Sequence, residues 1–230
     1  MITTIGFDAD DTLWHNETFF RLTQDRLAAL LADHGATDHV HDRLLEAERR
    51  NIGTYGFGVK GFTLSMIETA IEVTEGRVPS SVIAEIMAAG REMLAHPIDL
   101  LPHVRATVTA LAAQFRVIVI TKGDLLDQER KVAQSGLGDL FSAVEIVSDK
   151  TPATYTRIFA RHGTGADQAL MVGNSMKSDV IPALDAGAFA VHVPHGPGWA
   201  LEEATAPVGH PRYHSLADLG ALPGLVARLA

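Results

Sequence analysis

Three carboxylates stand within four positions in the run Asp8-Ala9-Asp10-Asp11-Thr12. They follow an apolar stretch, residues 2–7, whose β-branched residues read as a strand. In an extended backbone, residues two apart point the same way, so Asp8 and Asp10 project together from the strand end. Two clustered carboxylates repel one another unless a cation or a shared proton relieves them. Hard oxygen ligands with few dedicated protein groups suit Mg2+. Acids after a strand also cap turns and helices, a role that fits one Asp more comfortably than three.

The elements that must position these acids are legible in the apolar periodicity. Short runs at 117–121, 144–147, 169–173 and 189–193 follow the first, and none alternates cleanly. That is the pattern of parallel strands buried on both faces. Helical spacing lies between them: Val104, Val108, Leu111 and Ala112, then Leu126, Arg130, Ala133 and Gln134. Pro152 stands where it favours a helix start, and Gly187 closes a short helix over 179–186. Strands alternating with helices predict an α/β fold with a doubly wound, Rossmann-like parallel sheet.

The stretch 15–97 breaks this rhythm. Its apolar residues recur at helical spacing, in four segments near 19–31, 41–51, 62–73 and 82–94, with no strand-like run. The expected organisation is a catalytic core of 1–14 and 98–230 with an all-helical insert at 15–97. Residues 52–61 carry four glycines and read as a flexible connection between two of these helices or as a substrate-facing loop.

Each later strand-like run ends in polar residues. The second ends in Thr121-Lys122-Gly123, the third is followed by Ser148-Asp149-Lys150-Thr151-Pro152, and the fourth ends in Gly173-Asn174-Ser175 with Asp179 further on. Singly, a strand-end Thr, a surface Lys and a Gly-Asn-Ser run read as turn, solvated charge and helix cap. Jointly they converge on the carboxyl edge of the sheet, where ligands bind in open α/β folds. This ordered set resembles the haloacid dehalogenase superfamily of phosphohydrolases, over roughly 1–14 and 98–195. The insert at 15–97 resembles that superfamily's α-helical C1-type cap.

The resemblance implies a Mg2+-dependent phosphatase of a small phosphorylated metabolite. Asp8 is the implied nucleophile and forms an aspartyl-phosphate, which splits hydrolysis into two easier steps. Asp10 protonates the leaving oxygen and then takes a proton from water. Thr12 fixes the turn, Thr121 donates a hydroxyl to phosphate, and Lys150 supplies positive charge. Lys122 and Gly123 are further phosphate-side candidates, and Asp8, the Asp10 main-chain carbonyl, Asn174 and Asp179 are the implied Mg2+ ligands. Substrate choice falls to the cap, with Tyr55 and Lys60 as candidates and Phe57 as packing. Trp14 and His15 are candidates for lining the pocket.

Two positions depart from the family pattern. Asn174 stands where an acid is usual, so it either ligates with Asp179 orienting Lys150 or acting through water, or leaves a larger share of the metal to Asp179. An amide brings no charge, which implies weaker Mg2+ binding than an acid would give. Lys122 stands where Asn is common, and its side chain is expected either to add charge to the site or to point to solvent. The alternatives are a 2-haloacid dehalogenase, which needs no metal and typically lacks the second acid, a phosphomutase, or a binding protein that has lost turnover.

Composition narrows the remaining classes. The 230 residues are 47% hydrophobic, enough for a filled core, and the formal net charge is -9. No basic patch suits nucleic acid. The absence of cysteine excludes disulfides, thiolate metal sites and cysteine nucleophiles. Eleven histidines form no zinc-like arrangement. The start lacks the features of a signal peptide and no run approaches a membrane span, so the expectation is a cytoplasmic monomer or homodimer with no nucleic-acid or membrane partner. The tail from Trp199 onward is expected to cover a sheet edge without taking part in chemistry.

Overall fold

The computed structural model describes residues 1–229. Six strands form one parallel sheet: β1 (Thr4–Phe7), β2 (Arg116–Lys122), β3 (Ala143–Val147), β4 (Ala169–Gly173), β5 (Phe189–His192) and β6 (Tyr213–Ser215). Their spatial order is β3-β2-β1-β4-β5-β6. The central strand β1 is thus flanked by β2 on one side and β4 on the other, which places the change of winding direction beside Asp8.

The helices follow in chain order as α1 (Glu17–Leu30), α2 (Thr37–Tyr55), α3 (Val59–Val73), α4 (Ser80–Ala95), α5 (Val104–Ala112), α6 (Leu125–Gln134), α7 (Pro152–His162), α8 (Ile181–Asp185) and α9 (Leu222–Leu229). The strands read as continuous apolar runs because both faces are covered. Val117 and Val119 pack with Val104, Val108 and Leu225 on one face, whereas Ile118 and Ile120 pack with Tyr155, Ile158 and Phe159 on the other. Alternation along β2 therefore sorts apolar residues between two cores and not between core and water.

The chain folds as two compact units. One comprises 1–17, 98–122 and 128–230 and holds the whole sheet. The other comprises 18–97 and 123–127, and its own core gathers Leu27, Leu31, Val40, Leu44, Phe62, Met66 and Ile86 from four helices. Its surface carries ion pairs such as Arg50 with Glu68 and Glu72, and Arg26 with Glu85 and Glu92.

Two expectations change. The glycine-rich connection is far shorter than 52–61: α2 runs through Tyr55 and α3 begins at Val59, leaving three residues between them. Gly56 and Gly58 have φ of 74° and 113°, so the sharp bend is concentrated at two residues that lack a Cβ. The tail does more than cover an edge. Residues 213–215 add β6 to β5, with Ala190 opposite Tyr213, a pairing too short to leave a periodic signal. Among the described residues, no helix is long and apolar enough to cross a membrane.

Candidate active site

Asp8 follows β1 directly and its N–H still bonds Val172 of β4, so the strand geometry extends to the acid. The chain then turns over Ala9, whose carbonyl accepts the N–H groups of Thr12 and Leu13. Asp11 sits in the left-handed region at φ 58°, which Asp tolerates better than most side chains. Its two carboxylate oxygens accept the N–H groups of Asn16 and Glu17, each at 2.9 Å, at the start of α1. The third acid of the motif is therefore a helix cap. Burial raises its pKa to about 6 despite those two bonds.

Lys150 reaches the same place from the loop after β3. Its buried ammonium donates to Asp8 Oδ1 and to Asp179 Oδ1, the latter at 2.6 Å. Burial opposes the Lys150 charge, but Asp179 and Asp8 outweigh it and hold its pKa above the ordinary range. Burial, followed by repulsion from Asp179, raises Asp8 to about 7 against the pull of Lys150. One cation thus serves two buried carboxylates, and the group left short of compensation is the implied nucleophile.

The second oxygen of Asp8 faces a different set. Thr12 Oγ1 donates to Asp8 Oδ2 at 3.3 Å, and the Asn174 amide lies 3.2 Å from Asp8 Oδ2, the Asp10 main-chain oxygen and Thr12 Oγ1. A cation needs such a convergence. Ligands about 2.1 Å from a hexacoordinate Mg2+ lie about 3 Å apart, which matches this spacing. One carboxylate, one carbonyl and one amide, completed by water, suit Mg2+. Among the described residues, no group of three His, Cys, Asp or Glu side chains could hold a metal ion elsewhere.

Asp179 does not join that set. Its Oδ1 holds Lys150 and its Oδ2 accepts the Ser175 N–H at 2.9 Å, so of the roles open to it Asp179 takes the orienting of the lysine and not a larger share of the metal. The bend that brings it there is a π-helical turn, Met176–Val180, with Val180 N–H bonded to Ser175 O. Gly173 makes the approach possible, because a Cβ at that position would lie 2.2 Å from Asp179 Oδ2.

The Asp10 side chain turns away from Asp8 Oδ2 into its own cradle. It accepts from Trp14 Nε1 at 2.7 Å, Gln128 Nε2 at 2.8 Å and Lys131 Nζ at 3.0 and 3.2 Å. Trp14 is fully buried, so it is a core residue and a hydrogen-bond donor, not pocket lining. Gln128 and Lys131, both buried on α6, were not among the expected site residues. A buried Lys on a helical face was the only available signal for them.

The remaining candidates separate. Thr121 is buried and its hydroxyl meets the Lys122 carbonyl at 3.3 Å. Lys122 neither charges the Asp8 cluster nor points to solvent. Its ammonium lies 2.7 Å from Ser178 Oγ and from Glu202 Oε1. Glu202 also accepts from Ser175 Oγ at 2.5 Å. Although burial opposes its charge, Lys122 and the serine hydroxyls bring its pKa below the ordinary carboxylate range. A tail residue therefore binds the ends of β2 and β4 together. Gly123 has φ 132° just after β2. Tyr55 ends α2 at the surface, and Lys60 on α3 pairs with Asp124, its ammonium 3.4 Å away. His15 and His195 meet at 3.2 Å.

Comparison with known proteins agrees with this geometry. The family model for haloacid dehalogenase-like hydrolases matches residues 2–187. The chain belongs to that family. A haloacid dehalogenase-like hydrolase from Xanthomonas campestris is 40% identical over 99% of this chain and 91% of its own, with a TM-score of 0.89. Two more distant members of the same fold are instructive. The HAD hydrolase YfnB of Bacillus subtilis, solved with magnesium bound, is 16% identical over 98% of each chain, TM-score 0.69. The L-2-haloacid dehalogenase of Xanthobacter autotrophicus, solved with chloropropionic acid covalently bound, is 19% identical over 100% of each chain, TM-score 0.65. A search of curated proteins found no match. Haloacid dehalogenase-like hydrolases thus span metal-bound and haloacid-bound members on one fold, and the choice between them rests on the residues around Asp8.

Proposed function

We propose that this hydrolase is a Mg2+-dependent phosphomonoesterase acting on a small phosphorylated metabolite. The observation that supports it most is the division of labour at Asp8. One oxygen is held by Lys150, and the other lies 3.2 Å from the Asn174 amide, which also meets the Asp10 carbonyl at 3.2 Å. Asp8, the Asp10 carbonyl and Asn174 would hold Mg2+ there, and the ion would supply positive charge to the transferred group and favour the ionised nucleophile. Asp8 attacks phosphorus, the bond from phosphorus to the alcohol oxygen breaks, and that oxygen takes a proton from Asp10. Asp10 then takes a proton from water, which attacks the aspartyl-phosphate and releases phosphate. Trp14, Gln128 and Lys131 fix the position of the Asp10 carboxyl group. Thr121 and the Gly123 N–H are the proposed phosphate contacts, and Lys150 offsets charge as it develops.

Asp10 also argues against the dehalogenase alternative, whose chemistry needs no second acid. Here that acid is present and anchored by three side chains. We assign substrate choice to the helical unit, with Tyr55 and Lys60 as the residues to vary. Hydrolysis of p-nitrophenyl phosphate with and without Mg2+ tests the proposal. Activity should require the metal and fall to background in Asp8→Asn. Metal-independent chloride release from 2-chloropropionate, with no phosphate release, would replace this reading by dehalogenation.

A further inference from the structure

Asn174 is the position at which this chain parts from the usual acid, and its surroundings ask for more than a weaker ligand. One end of its amide faces three oxygens: Asp8 Oδ2, Asp10 main-chain O and Thr12 Oγ1, each 3.2 Å away. If that end is Oδ1, it meets two further acceptors, Asp8 Oδ2 and the Asp10 carbonyl, with one Thr12 proton among the three, and a cation relieves them. If it is Nδ2, its two hydrogens satisfy the Asp10 carbonyl and Asp8, while the Thr12 hydroxyl supplies its own proton to Asp8 Oδ2. The two orientations differ by a turn of about 180° about the terminal torsion, which for Asn is broad and nearly two-fold. A carboxylate could adopt only the first arrangement, because an ionised acid donates nothing.

We propose that Asn174 is a two-position amide at the metal site, closing it with its NH2 group when no metal is present and presenting its oxygen when Mg2+ binds. This rests on the metal-dependent reading above and deepens it. The amide stabilises the metal-free protein in the same place where it ligates the metal. Its rotation therefore couples the loss of two hydrogen bonds to metal entry. An acid at 174 would bind Mg2+ more tightly but leave the metal-free cluster with a second carboxylate about 3.2 Å from Asp8 Oδ2 and no donor between them.

The test combines calorimetric Mg2+ titration, thermal unfolding of the EDTA-treated protein, and the side-chain 15N amide signals of Asn174, on wild type, Asn174→Asp and Asn174→Ala. In Asn174→Asp, Mg2+ affinity should rise by about tenfold or more, a gain of about 1.4 kcal/mol per decade. Its metal-free midpoint should fall, and its Mg2+-induced midpoint shift should exceed that of wild type. Asn174→Ala, which adds no charge, should lose both metal-free stability and Mg2+ affinity. The wild-type amide signals should move when Mg2+ saturates the site. A metal-free Asn174→Ala protein as stable as wild type, or amide signals unmoved by Mg2+ in an enzyme that Mg2+ activates, would overturn the inference alone. No Mg2+ binding together with no Mg2+ activation would instead overturn the functional reading beneath it.

Discussion

Asp8 and Asp10 leave the same strand end and meet opposite electrostatic surroundings. Asp8 is buried beside Asp179 with Lys150 shared between them, whereas Asp10 faces Lys131, Gln128 and Trp14. Two like-charged groups two residues apart are thereby separated into different sites. Lys150 carries most of the load, because removing one partner from a buried ion pair leaves an uncompensated charge, at a cost of about 3–5 kcal/mol. Lys150→Met should lower the stability of the metal-free protein at pH 7 by that order, measured by urea unfolding, and should abolish the proposed phosphatase turnover. The stability loss should shrink toward pH 5, where Asp8 binds a proton more readily. A pH-independent loss would show that Lys150 acts by packing and not by charge.

At the scale of the element, the carboxyl ends of β1, β2 and β4 and the loop after β3 bring together residues up to 171 positions apart in sequence, Asp8 and Asp179 among them. The connection out of β1 is held by Asp11, which links the turn after Asp8 to the first turn of α1. Its raised pKa sets the sign of a pH effect. The unfolded chain ionises at its ordinary value near 3.8 and the folded protein near 6, so the fold binds the proton more tightly. Stability from this group is therefore greatest below about pH 4, falls as pH rises through 6, and levels off above it. The difference in unfolding free energy between wild type and Asp11→Asn should follow that curve between pH 4 and 7. A flat difference would place the Asp11 pKa at its ordinary value.

Across the whole molecule, the sheet gains its last strand from the tail, and the same tail returns Glu202 to the fourth strand's end. Glu202 ties Lys122, Ser175 and Ser178 into one partly buried polar cluster. Lys122 is thus neutralised by a residue 80 positions away and withheld from the Asp8 cluster. Glu202→Ala should cost stability of about 1–3 kcal/mol, since it leaves buried donors short of an acceptor. It should also tighten inhibition by inorganic phosphate, read as a lower inhibition constant, as the released ammonium adds positive charge near Thr121. Unchanged phosphate inhibition would show that Lys122 remains held by its other neighbours.

Patterning alone carried a good deal of this protein. The apolar runs, being buried on two faces, announced five of six strands, and helical spacing announced the four helices between 17 and 95. Asp8, Thr12, Lys150 and Asn174 could be nominated because each follows a strand-like run at the edge where ligands bind. Direction and pairing of side chains lay beyond that reach. The choice among the roles open to Asp179, the cradle from α6 that holds Asp10, and the pairing of Lys122 with Glu202 each come from contacts between residues distant in sequence. Local periodicity reports which face of an element is apolar. Which charges end up sharing a proton, a cation or a hydrogen bond is set by how the strand ends pack, and that exists only once the chain has folded.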